Sequence, residues 1–360
     1  MNLISDWFKR AFSDSQVILM LSVLVFLLIL TILFAEMLAP AIGALVIAFL
    51  LDGVAEWLKS KGLSHILAVS FAFSLFIATA LITIIAIMPP LFDQIVQFAN
   101  LGPKLVTIMR DHLLSLQTSF PDLISPEQVN DWFGKLGNEV ANLGPRLLGM
   151  SMTGVASVMT TAVYMVLVPV MVFFFLKDKK QILSWLGSFL PANRPLIDQV
   201  GTEAVERAGD YARGKVYEII IVGSVSFLVF QILGLRFATL LAVATGLSVI
   251  IPYIGAAVVT LPVALVAFFQ WGMGPEFAGA IIAYLIIQAL DGNLLAPLLF
   301  SEVVNLHPNA IIIAILIFGG IWGLWGVFFA IPLATVANAV IRVWRKHRHD
   351  LQIKNPTIAD

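Results

Sequence analysis

The feature that most constrains this chain is a series of long stretches without Asp, Glu, Lys or Arg. They cover residues 17–35, 66–92, 147–176, 219–235, 237–275, 277–290 and 303–341, with a shorter one at 37–51. A helix needs about 20 apolar residues to cross the hydrocarbon layer of a bilayer. Most of these runs reach or exceed that length, and two of them are too long for one helix. The whole chain is 60% hydrophobic and 12% charged, where soluble domains have about 45–50% apolar and about 25% charged residues. A soluble fold could not bury that excess, so it must face lipid. The fold class expected is all-α: a polytopic integral membrane protein with about eight transmembrane helices, some discontinuous, plus extramembrane amphipathic helices.

Lys9 and Arg10 precede the first run, as in a signal peptide. Val17 to Ala35 is long enough to span, however, and Glu36 follows without a small-residue cleavage site, so a retained first span is expected. The 37–51 run should form a helical hairpin with it, Glu36 marking the turn. Segment 237–275 is interrupted by Pro252, Gly255 and Pro262, and segment 303–341 by Gly319, Gly320, Gly323, Gly326 and Pro332. Proline removes a backbone donor and clashes with the preceding turn. The sixth and eighth spans should therefore be broken, with a re-entrant pair as the alternative.

Of 21 Lys and Arg residues, 16 lie in the N-terminal tail, the 52–64 loop, the 177–215 segment and the tail from Arg342. Eight spans put all four regions on one side, which the positive-inside rule makes cytoplasmic. The expected organisation is a three-span membrane region over 1–92, an extracytoplasmic helical segment over 93–146 and a fourth span over 147–176. Cytoplasmic amphipathic helices follow over 177–215, then a four-span region over 216–341 and a cytoplasmic tail over 342–360. Both termini are then cytoplasmic.

The outer segment has helical periodicity. Ser125-Pro126-Glu127-Gln128 is a capping box, and Val129, Phe133, Leu136, Val140, Leu143 and Leu147 step as a heptad seam. That seam either closes an antiparallel hairpin or meets another protomer. On the inner side, Lys177-Asp178-Lys179-Lys180 marks a span meeting the headgroups, and Asn193-Arg194-Pro195 starts a second amphipathic helix. A short echo links Pro40-Ala41-Ile42-Gly43-Ala44 to Pro252-Tyr253-Ile254-Gly255-Ala256.

Several chemistries are excluded. With no cysteine there is no disulfide or thiol nucleophile. There is no nucleotide-binding loop, no paired-histidine zinc motif and no serine-hydrolase elbow. An enzyme is not expected, nor a cofactor or a metal. A net charge of −1 gives no field for nucleic acid.

The most informative stretch is polar. Gln288, Asp291 and Asn293 interrupt the apolar run between Ala278 and Phe300. A charge at the centre of a span costs at least about 2.5–3.5 kcal/mol, so such a residue faces a cavity or a partner. Gly292 can open the backbone there, and Pro297 deprives the helix of a bond one turn later. An unwound, water-accessible stretch is expected, with Asp291 either functional or capping a half-helix. Glu302 and His307-Pro308 lie before the last span, His307 being a titratable group or a plain interfacial residue. Arg236 is a snorkelling anchor or the partner of an acid. Gly319, Gly323 and Gly326 permit close helix approach, with packing or a gate as their role.

The motifs together resemble a known family. Tyr211-Ala212-Arg213-Gly214, Gly234-Leu235-Arg236-Phe237-Ala238 and Ile251-Pro252-Tyr253-Ile254-Gly255 carry the likeness. So do Asp291-Gly292-Asn293-Leu294-Leu295-Ala296-Pro297, Leu306-His307-Pro308, Gly319 to Gly326 and Ala330-Ile331-Pro332-Leu333-Ala334. The chain resembles the autoinducer-2 exporter-like permeases, in the branch with Asp-Gly-Asn followed by Phe300-Ser301-Glu302. That resemblance implies about eight spans, homo-oligomers such as a pentamer, and residence in the bacterial inner membrane. It also implies export of a small polar solute, autoinducer-2 in some members and sodium or lithium–proton antiport in others. The partners expected are lipid, a small polar solute, H+ or Na+, and further copies of the chain.

Three functions are thus open. The first is secondary or facilitative export, with Asp291 coupling to an ion, Gln288 and Asn293 bonding the solute, and Pro252 and Gly255 shaping the opening. The second is a cation–proton antiporter. The third is a scaffold without transport.

Overall fold

The computed structural model describes residues 15–117, 127, 129–135, 137–139, 154–252, 254–300 and 307–354. Every regular element among them is helical. In chain order these are α1 (Ser15–Ser60), α2 (His65–Ile82), a π-helical turn (Thr83–Ile87) and α3 (Met88–Gln117). After the helical residues of 127–139 come α4 (Gly154–Lys177), α5 (Lys179–Ser188), α6 (Pro195–Ile232), α7 (Ala238–Ser248) and α8 (Ile254–Trp271). Last are α9 (Pro275–Leu290), a second π turn (Asp291–Leu295), α10 (Ala296–Phe300) and α11 (Pro308–Lys354). Five helical stretches among the described residues are long and apolar enough to cross a membrane, and four shorter apolar helices accompany them. Large apolar side chains such as Phe26, Ile85, Val166 and Leu298 stand exposed, the surface a lipid-facing protein requires.

Prolines explain the irregular turns. The first π turn lies directly before Pro89 and Pro90, and the second directly before Pro297. A proline ring crowds the carbonyl four residues back and offers it no N–H. A wider turn relieves that crowding, and the Met88 N–H bonds the Thr83 carbonyl five residues back. In α1 the two expected spans join through one non-helical residue, Phe34 (φ −118°, ψ 18°), and not through a turn at Glu36. Pro40 lies inside α1, whereas Pro252 lies in a turn. The short echo between those two regions therefore has no structural counterpart. The amphipathic segment and the fifth span share one helix, because α6 runs unbroken from Pro195 to Ile232.

The two overlong runs fold as helical hairpins and not as one broken helix each, nearer to the alternative of a paired segment. In 237–275 the chain forms α7, turns over residues 249–253 and returns as α8. Leu241 and Ala242 of α7 pack with Val259, Val263 and Ala267 of α8. At the tip, a β-carbon on Gly255 would stand 1.8 Å from the Ser248 carbonyl oxygen. In α11 the reversal falls on Gly323 (φ 59°, ψ −134°), a conformation closed to residues with a side chain. Ala314 and Ile315 then meet Ala330, with Phe318 and Val327 nearer the turn and Ile311 and Ala334 further away. Alpha7 has 11 residues, which at 1.5 Å each is about 16 Å, half of the roughly 30 Å hydrocarbon thickness.

The chain divides into two compact units that interleave in sequence. One comprises Met1–Phe76, Val166–Tyr217 and Ala296–Asp360, the other Ile77–Met165 and Glu218–Leu295. The first has a core of Ala44, Ala48, Val69, Ala72, Val172 and Leu176. The second is centred on Phe230, Leu241, Val263, Ala267 and Tyr284. Within the second unit α6 crosses α7 glycine to glycine. A β-carbon on Gly246 would lie 2.8 Å from the Ile219 carbonyl oxygen and 3.0 Å from the Gly223 Cα. Gln94 of α3 accepts the Leu240 N–H at 2.9 Å, satisfying one of the N-terminal donors that a helix cannot satisfy itself.

The outer segment is partly described. Val129 is buried and Phe133 half-buried, and Phe133, Gly134 and Gly137 share a cavity of about 310 Å³ with Pro103, Val106 and Arg110 of α3. This end of the seam therefore faces α3. Leu136, Val140, Leu143, Leu147 and most of the capping box lie outside the described residues.

Candidate functional site

Alpha9 and the π turn after it present three polar side chains at positions 284, 288 and 291, spacings of four and three that share a helix face. Tyr284 is fully buried, and its hydroxyl donates to the Ala256 carbonyl of α8 at 2.7 Å. Thr260 reinforces the contact, its hydroxyl 2.8 Å from the same carbonyl oxygen and 3.4 Å from the Tyr284 oxygen. The bonds pin α9 to the first turn of α8, just behind the Gly255 approach. One turn on, the buried Gln288 amide nitrogen lies against the Tyr284 hydroxyl without making a well-formed hydrogen bond. A buried donor left unmade costs about 1–3 kcal/mol, so something polar belongs against it.

Asp291 follows at the start of the π turn, half-buried. Its backbone N–H bonds the Ile287 and Gln288 carbonyls, so the helix does not stop there. The expected unwound stretch is therefore a widened helical turn. Gly292 is exposed, its backbone has no positive φ, and a β-carbon there meets nothing within 4 Å. Asn293 is exposed, and its side-chain amide donates to the Ala289 carbonyl at 2.8 Å. It stabilises the widened turn and does not join the Tyr284–Gln288–Asp291 face. Such π turns are rare and frequently sit at functional positions.

The other candidates separate. Pro252 and Gly255 form the tip of the α7–α8 hairpin. The Arg236 side chain is exposed and meets no carboxylate among the described residues, while its backbone N–H donates to Gln270 at 2.7 Å. Gln270 in turn donates to the Gly234 carbonyl, so it clamps the α6–α7 turn. His307 is exposed, and its Nδ1 accepts the Asn309 N–H at 3.2 Å, capping α11. Glu302 lies outside the described residues. Gly319 and Gly326 are tight against Val327 and Phe318, Gly323 makes the reversal, and Pro332 is buried in the returning arm.

One buried charge cluster escaped the sequence reading. Lys215 and Glu218 of α6 are each only 3% exposed. The Lys215 ammonium stands 5.1 Å from the Phe300 ring centre and 6.0 Å from that of Tyr211, within cation–π range. The two rings are 5.5 Å apart. Gly214 makes room, since a β-carbon there would meet Phe300 at 2.7 Å. The available signal was a Lys and a Glu three residues apart at the mouth of an apolar run, on one helix face. Grouping Lys215 with the surface basic cluster hid it.

Long apolar helices with large apolar side chains exposed define a polytopic all-α membrane protein. Comparison with known proteins agrees. Residues 21–346 match the profile of the AI-2E family transporters, and this chain belongs to that family. It is 42% identical over 344 residues to PerM of Escherichia coli (strain K12), provisionally described as a permease, covering 96% of this chain and 98% of PerM. It is 24% identical over 309 residues to YrrI of Bacillus subtilis (strain 168), covering 86% and 85% of the two chains. YueF of the same organism is 26% identical over 317 residues, covering 83% and 82%. Both are provisionally described as transport proteins. The family and these relatives point to a transporter, not an enzyme.

Proposed function

We propose that this protein is a secondary or facilitative exporter of a small, neutral, hydrogen-bonding solute across the bacterial inner membrane. Autoinducer-2-like polyhydroxylated molecules fit that class. The observation that supports it is the Gln288 amide nitrogen, buried against the Tyr284 hydroxyl without a well-formed hydrogen bond. A span that keeps an unsatisfied donor bears its cost continuously, and a polar ligand or water on this face offsets it. Amide and carboxylate on one helix face suit a solute rich in hydroxyl groups. Asp291 is the coupling carboxylate in this reading, taking up or releasing a proton as the site is exposed to either side. The basic termini and loops support a topology with both ends of the chain in the cytoplasm. Several copies assemble into the working unit.

Inside-out vesicles carrying the full-length protein provide the test. Labelled autoinducer-2-like furanosyl diol should accumulate above the level of vesicles without the protein, and Asp291→Asn should slow uptake and flatten its pH dependence. Uptake by Asp291→Asn with unchanged rate and pH profile would remove Asp291 from the coupling role. No flux of any small polyol under any gradient would sink the exporter reading itself.

A further inference from the structure

Within the first compact unit, α5 is an amphipathic helix of ten residues that follows the end of span α4 at Lys177. Leu183, Trp185, Leu186 and Phe189 are all at least half exposed on and just after it. Such a helix, placed where a span ends, lies in the headgroup layer of the membrane. Beneath it the structure holds two adjoining cavities of different character. The larger, about 740 Å³, has a charged rim of Asp52, Lys179, Arg194, Asp198, Glu206 and Arg213. The smaller, about 290 Å³, is walled by Leu45, Ala48, Phe175, Leu176 and Ile182. Phe49, Asp52, Lys179 and Leu183 line both, so the polar chamber opens into the apolar one.

The rim is not a simple anion trap. Lys179 pairs with Asp52 at 2.7 Å, Arg194 with Asp198 at 2.8 Å, and Arg213 with Asp210. Arg194 also donates to the Gly187 and Leu190 carbonyls, holding the end of α5 over the chamber. Among the described residues Glu206 pairs with no cation, and it is exposed to the chamber. The open valence of the rim is therefore a carboxylate seeking an ammonium, beside guanidinium groups that can share a phosphate. An apolar chamber next to it calls for hydrocarbon.

From this we infer that the cavity under α5 is a binding site for one aminophospholipid, a phosphatidylethanolamine. Its primary ammonium bonds Glu206, its phosphate lies between Arg194 and Arg213, and an acyl chain enters the Leu45–Ala48–Phe175 chamber. A choline headgroup has the charge but no N–H to donate, and a glycerol headgroup has no cation for Glu206. The site thus selects ethanolamine from among the phospholipids.

Native mass spectrometry of the delipidated full-length protein tests this, with an equimolar mixture of dioleoyl phosphatidylethanolamine, phosphatidylcholine and phosphatidylglycerol. The first lipid retained should be phosphatidylethanolamine, favoured roughly fivefold over phosphatidylcholine, the scale of one net hydrogen bond that choline cannot donate. Glu206→Gln, a change at an exposed position, should bring that ratio to near one while leaving the melting temperature in place. Soluble glycerophosphoethanolamine should fail to displace the lipid, since it lacks the chain that fills the apolar chamber. Equal retention of ethanolamine and choline lipids by the wild-type protein, or an unchanged preference in Glu206→Gln, would overturn the site. Displacement by glycerophosphoethanolamine at matched concentration would overturn the lipid as its occupant.

Discussion

Gly326 lies so close to Phe318 that a β-carbon on the glycine would stand 1.8 Å from the phenylalanine's carbonyl oxygen. Gly255 stands in the same relation to Ser248, at the same distance. Two hairpins at different places in the chain are closed by one device, a glycine pressed on the backbone of the opposite arm.

That device sets the first prediction. Gly326→Ala and Gly255→Ala each force backbone apart, an overpacking that costs about 3 kcal/mol or more. Both variants should melt well below wild type when unfolding is followed by tryptophan fluorescence in detergent. Gly320→Ala and Gly279→Ala are the controls, because a β-carbon at either meets nothing within 4 Å. They should hold or gain up to about 1 kcal/mol from the better helix former. Wild-type melting of Gly326→Ala would show that the hairpin tip is not closed as described.

The Gly214–Phe300 contact predicts a rescue. Gly214→Ala brings a methyl to 2.7 Å from the ring edge and should cost about 1–3 kcal/mol. Phe300→Leu alone should cost about 1 kcal/mol or more, from the lost Lys215–ring interaction. The double variant should be more stable than the sum of the two losses, because the smaller side chain clears the new methyl. Strict additivity in a thermal-melt cycle would mean the two positions do not touch.

Gln288→Leu separates stability from activity. It deletes a buried donor whose only contact, with Tyr284, is poorly formed, so stability should change by less than about 1 kcal/mol. Uptake of the polyol into vesicles should fall at least tenfold. A destabilised protein with normal uptake would reverse the assignment and make Gln288 structural.

Tyr284→Phe should behave oppositely. Its hydroxyl donates to the Ala256 carbonyl, so its loss should lower stability by about 1 kcal/mol. The α8–α9 contact near residue 256 should exchange its amide protons faster, which hydrogen–deuterium exchange would detect. Unchanged exchange over 254–260 would show that the bond does not hold the two helices.

Much of this was legible in the chain, for physical reasons. Charge-free runs must be helices in lipid, and prolines at 252 and 297 must disturb them. Glycine clusters at 319–326 must allow close approach. What the local pattern lacked was direction. A break in an apolar run reads the same whether the helix bends or folds back, and the long-range contacts of Gly255, Gly326 and the paired arms distinguish these outcomes. Asp291, Gly292 and Asn293 read as an unwound stretch because each favours a break alone. Together with Pro297 they yield a π turn that keeps the helix and turns Asn293 away from the site. Lys215 was lost for the opposite reason. It belongs by composition to a basic surface, and its burial depends on Tyr211 and Phe300, 89 positions apart in sequence.

The shortness of α7 has a consequence for how the protein is made. A translocon releases segments into lipid one at a time as they emerge from the ribosome. An 11-residue helix about 16 Å long leaves its end groups in hydrocarbon if it is released alone. It has to wait in the insertion machinery until α8 has been synthesised and folded back on it, so the two arms enter the bilayer as one unit. A ribosome stalled between residues 250 and 260 should therefore hold its nascent chain at the channel, still reachable by water-soluble reagents.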